Sequence, residues 1–165
     1  NLSTSSKEDT NKISLSKYLR FFVKEGMLSR SSPQYSYDLP ASFLAWSFIE
    51  EKAGHFGKAG LAALYSAWVY DDVNDTVNAK ESRKRAFLLL DVGLTKNQRF
   101  GDNKITEKLI LIDLLRRSEQ FEAALKICSS LEKIKLEETI QKVVTFQKVL
   151  IRYSNVACHN IGEAG

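Results

Sequence analysis

Asp71, Asp72 and Asp75 are the residues whose type and spacing most directly suggest chemistry. In "WVYDDVNDT" two carboxylates stand at i and i+4, with a third beside the first. If one helix carried all three, Asp71 and Asp75 would share a face, and hard oxygen donors so spaced can bridge Mg²⁺ ions to a diphosphate. A working site of that kind needs a second acidic cluster on a facing helix. Asp91, Asp102 and Asp113 each stand alone. Asn74 and Asp75 also read as a turn, where Asp needs no catalytic explanation.

The DDxxD run resembles the metal-binding pattern of enzymes that build or cyclise isoprenoid diphosphates, which are all-helical. The resemblance implies a Mg²⁺-dependent enzyme with Asp71, Asp72 and Asp75 as ligands. A chain of 165 residues with one acidic cluster is small for enclosing a prenyl pocket. The preferred expectation is therefore a non-catalytic protein with no cofactor and no metal site. A third reading is a structural half of a larger protein whose activity lies upstream, since a start at Asn1 rather than Met fits a fragment or a processed product.

Other reactive residues offer less. Cys128 and Cys158 form no CxxC pair, so neither a zinc site nor a disulfide framework is supported, and both are expected to be small buried residues. His55 follows a helix-stopping Gly54, and His159 is expected to end the last helix beside Cys158. Ser66, Ser118 and Ser129 have no His and Asp at recognisable spacing.

Positioning these residues falls to helices. Apolar residues make up 44% of the chain and charged residues 27%, as in an ordinary globular protein. The net charge of +4 is spread over scattered bases, whereas nucleic-acid binding favours a concentrated patch. No apolar run reaches the roughly 20 residues that span a bilayer, and "NLSTSSKEDTNK" lacks the apolar centre of a signal peptide. The expected address is the cytoplasm.

The periodicity predicts an all-α chain of about seven helices, in an antiparallel helical-repeat array or bundle. A disordered polar tail is expected over residues 1–12 and a single helical domain over 13–165. Leu15, Tyr18, Leu19 and Phe22 recur at i, i+3, i+4 and i+7 until Gly26 stops the first helix. Pro40 suits the first turn of the next helix, which Gly54 ends. Gly60, Ala63 and Ala67 leave one side of the following helix small, so a neighbour can approach closely. Ala79, Arg83, Ala86, Phe87 and Leu90 stripe another helix, and residues 105–118 are apolar nearly all round, which predicts burial between neighbours. The last helix is expected over about 136–159.

"LAALYSAWVYDDVNDTVNAKESRKRAF" and "EKLILIDLLRRSEQFEAALKICSSL" each read as helix, tight polar turn, helix. With Ala67, Tyr70, Ala79 and Ala86 in the first and "EQFEAAL" around Ala124 in the second, they resemble degenerate tetratricopeptide repeats, paired over about 56–92 and 105–133. "AWVY", "LLRRSEQFEAAL" and "FQKVLI" are further similar to the C-terminal half of an uncharacterised prokaryotic family with an N-terminal zinc-ribbon-like segment. The resemblance implies a stacked array that works as a protein-interaction module. Its groove would be lined by Leu64, Trp68, Asp71 and Asp72, then by Leu109, Asp113, Arg116 and Arg117. The arginine pair would choose a protein or peptide partner with an acidic or carboxylate end, since guanidinium forks hold such groups bidentately. The alternative is that the Asp and Arg pairs bind each other. Self-association stays open.

Overall fold

The computed structural model describes residues 39–165. Among them are six α-helices: α1 (Leu39–Lys52), α2 (Phe56–Asp72), α3 (Thr76–Thr95), α4 (Lys104–Arg117), α5 (Phe121–Leu131) and α6 (Glu138–Arg152). A short 3₁₀ turn at Ile161–Ala164 follows. No strand occurs among the described residues, so the chain is all-α there. The polar tail expected over residues 1–12 and the helix expected near Leu15–Phe22 lie outside the described residues.

Local signals set the helix ends. Asp75 caps α3 by accepting the amide of Asn78 at 3.1 Å, and Asn103 caps α4 by accepting those of Ile105 and Thr106, both at 2.9 Å. Five turns reverse through a left-handed residue: Gly54, Asn74, Asn97, Glu119 and Ser154. Each lets two amides reach back to carbonyls of the last helical turn, as Glu119 does to Arg116 and Gln120 to Leu115. Ser154 is also where the final helix stops, at Arg152 rather than at His159. His159 instead lies beyond the helix, its ring edge-on to Phe146 at 5.5 Å.

Each helix packs on the next, and α4 also touches α6. Neighbours run antiparallel: Gly57 at the start of α2 meets Gly93 near the end of α3, and Lys108 early in α4 reaches Ser130 late in α5 at 2.9 Å. The α2–α3 crossing is close because its residues are small. Ala63, Ala67, Ala79 and Ala86 are fully buried, and a Cβ on Gly60 would lie 2.5 Å from Leu90 Cγ. Ala124 is fully buried as well.

The core has two parts that share α4. Ile110, Leu111 and Leu114 pack with Ala63, Leu64, Trp68, Ala86 and Leu90. Ile112 and Leu115 face the other way, onto Ala124, Cys128, Leu131, Val144 and Ile151. A helix that is apolar all round thus sits between neighbours, as its sequence predicts.

Candidate functional site

The three carboxylates of the DDxxD run part company. Asp71 lies in the last turn of α2 and accepts from Arg83 and from Arg117 Nη2, the latter at 3.0 Å. Asp72 is exposed at the end of the same helix. Asp75 belongs to the next helix as its cap, and the side chain and amide of Asn78 hold its carboxyl below the ordinary range. Among the described residues no group of three or more His, Cys, Asp or Glu is placed to hold a metal ion.

The arginine pair is put to internal use. Arg116 is fully buried. Its Nε donates to Gln147 Oε1 at 2.8 Å, Nη1 to the carbonyls of Asn155 at 2.5 Å and Ala157 at 3.0 Å, and Nη2 to Asp113 at 2.8 Å. It pins the chain after α6 against α4. Arg117, its side chain also largely buried, joins Asp71 at the end of α2 and the carbonyl of Val156. Neither guanidinium is turned outward to select a carboxylate, because backbone and side-chain acceptors from α2, α6 and the C-terminal segment already surround them.

Arg83 completes this cluster from α3. Burial and the like charge of Arg117 push its pKa down, while Asp71 and Asp113 pull it up. Its place inside the apolar stripe Ala79, Ala86, Leu90 was the visible signal that a buried cation needed a partner.

The expected groove residues therefore divide. Leu64 and Trp68 sit in the first core part, whereas Leu109 packs against the second and does not face them. Asp113 is half-buried beside Arg116. What Leu64 and Trp68 do line is a cleft of about 340 Å³ between α2 and α4. Leu61 and Tyr65 share its α2 wall, Thr106 and Ile110 its α4 wall, and Arg99–Asp102 its roof. Tyr65 contacts Trp68 at 5.4 Å between ring centroids on the α2 wall, and behind the cleft it meets Phe43 of α1 edge-on at 5.7 Å. Burial pushes the Tyr65 phenol up, keeping it neutral.

The roof is fixed from both sides. Glu107, buried at the start of α4, accepts from Arg99 Nε at 2.8 Å, the Phe100 amide at 2.9 Å and the Gly101 amide at 3.2 Å. Burial pushes its carboxyl up, but these donors outweigh that and leave it below the ordinary range. Gln98 ties the same loop to the α1–α2 turn, accepting from Gly57 N at 3.0 Å and donating to Gly54 O at 2.8 Å. The cleft is thus preformed, with Arg99 and Asp102 as the charged groups of its lining.

No known protein family matches this chain, and neither the curated proteins nor the solved structures contain a match. Cys128 is buried, with its thiol pushed up to about 11, mainly by burial, and is inert as a nucleophile at neutral pH. Cys158, expected to be buried, is exposed because the last helix stops short of it. No helix among the described residues is long and apolar enough to cross a membrane.

Proposed function

We propose that this domain is a helical docking module of repeat type that acts by binding, seating an apolar side chain of a peptide segment in the cleft between α2 and α4. The cleft itself supports this reading: its walls are aromatic and aliphatic, and its roof is held by a buried carboxylate instead of being left to order on binding. About 340 Å³ accommodates one or two large side chains, which fits a peptide better than a folded partner. The acidic or carboxylate preference expected of the partner passes from Arg116 and Arg117 to Arg99. Its side chain is 45% exposed at the cleft while its Nε holds Glu107. A cytoplasmic address goes with this proposal.

A displayed random-peptide library selected on the immobilised protein tests it. The selected sequences should share a large apolar residue next to an acidic residue or a terminal carboxylate. Burying such a side chain contributes roughly 1.5–3 kcal/mol, or about 10- to 150-fold in affinity. Thr106→Trp, which fills the cleft from a half-buried position, should remove that binding without loss of helix. Selection without a shared apolar residue, or undiminished binding to Thr106→Trp, would refute the proposal.

A further inference from the structure

The cleft between α2 and α4 carries two exposed charges of opposite sign in its lining, Arg99 and Asp102, and only one is balanced by the protein itself. The roof crosses from helix to helix: a Cβ on Gly57, at the start of α2, would lie 3.2 Å from Arg99 O, and Asp102 directly precedes Asn103, the cap of α4. Asp102 therefore stands on the α4 rim. Arg99 Nε donates to the buried Glu107 carboxylate at 2.8 Å, which offsets its charge, while its two Nη groups make no hydrogen bond among the described residues. The Asp102 carboxylate has neither an ion pair nor a hydrogen bond among the described residues. Beyond Trp68, at the other end of the two helices, Asp71 and Arg117 tie α2 to α4 at 3.0 Å and offset each other. The charge left uncompensated in the lining is thus negative, and it sits at the roof.

We propose that the peptide segment seated in this cleft carries a lysine or arginine held at Asp102, in addition to its large apolar residue and the acidic group held by Arg99. The inference rests on the docking reading and adds to it a cation and a direction of binding. An apolar pocket alone accepts a chain running either way. A carboxylate at Arg99 with a cation at Asp102 matches only one of the two orders. Reversing the chain would set the cation against Arg99 and the carboxylate against Asp102, so like charges reject the wrong orientation. Lysine and arginine both suit Asp102, because an exposed carboxylate on a rim imposes no bidentate geometry.

Displayed random peptides selected in parallel on the wild type and on Asp102→Lys test the proposal. Wild-type selection should yield a basic residue at a fixed offset from the apolar one. Selection on Asp102→Lys should keep the apolar residue and replace the basic one by an acidic one at the same offset. For one selected peptide, titration calorimetry at low salt then measures the pair. Asp102→Asn in the protein and alanine at the basic position of the peptide should each weaken binding about two- to fivefold, and together by no more than either alone. Both losses should shrink at about 0.5 M salt. Peptides that share the apolar residue but no basic one, or losses that multiply in the double change, would overturn this inference and leave the docking reading standing. Selection without a shared apolar residue would remove the docking reading and this inference with it.

Discussion

Replacing Arg116 with Ala separates a structural role from a ligand-binding one. The side chain is fully buried and donates to four acceptors, three of which belong to parts of the chain after residue 146. Removal leaves those acceptors without their cation. Asp113, 21% exposed, can rehydrate, and the carbonyls of Asn155 and Ala157 lie in a segment with exposed residues that can turn to water. Gln147 cannot, being 5% exposed. An unsatisfied buried acceptor costs about 1–3 kcal/mol, and breaking a buried charged pair about 3–5 kcal/mol. With partial rehydration the expected loss is about 3–4 kcal/mol, a large part of the roughly 5–15 kcal/mol that holds a domain of this size. Urea unfolding followed by Trp fluorescence reads it as a lowered midpoint with unchanged slope. Arg116→Met with Gln147→Leu should recover part of the loss, because it fills the space and removes Gln147, the one acceptor that cannot rehydrate, while Asp113 and the two carbonyls turn to water. A loss below about 1 kcal/mol in Arg116→Ala would show that these bonds do not hold the C-terminal segment and would return Arg116 to the candidates for partner capture.

Two further outcomes follow from the geometry. Gly60→Ala places a methyl 2.5 Å from Leu90 Cγ and 3.0 Å from Leu90 N in the α2–α3 crossing, so Leu90 must shift and the two helices must separate slightly. The thermal midpoint should fall by an amount equivalent to about 1–3 kcal/mol, and an unchanged midpoint would mean the crossing is looser than described. Glu107 has a depressed folded-state pKa, so its stabilising effect is complete above its ordinary value of 4.5 and is lost as pH falls below that, through the folded-state value. Stability measured on descending pH should therefore drop in the wild type over that window, and Glu107→Gln should flatten the slope; parallel curves would remove Glu107 as the roof's anchor.

What the sequence determined by itself was whatever depends on residues within a turn or two of one another. Pro40 and Gly54 bound α1, Asp75 and Asn103 start their helices, and the all-round apolar character of α4 forecasts its place between two core parts. Even the separation of Asp75 from Asp71 was legible, because Asn74–Asp75 carries turn chemistry. Where the last helix ends was not: "VACHN" continues an acceptable helical composition, and only Ser154 in a left-handed conformation shows the chain leaving the helix. The use of the charges was not legible either. Arg116 and Arg117 look like a solvated rim because most arginines are exposed. They are buried here because the tertiary structure brings Gln147, the carbonyls of residues 155–157 and Asp71 around them. The cleft shares that origin. Its apolar α2 wall was readable from Leu61, Leu64, Tyr65 and Trp68 at helical spacing, but its roof exists only because Glu107 folds Arg99, Phe100 and Gly101 back over α4. A residue's type states which bonds it must make; which groups make them with it is decided when distant helices pack.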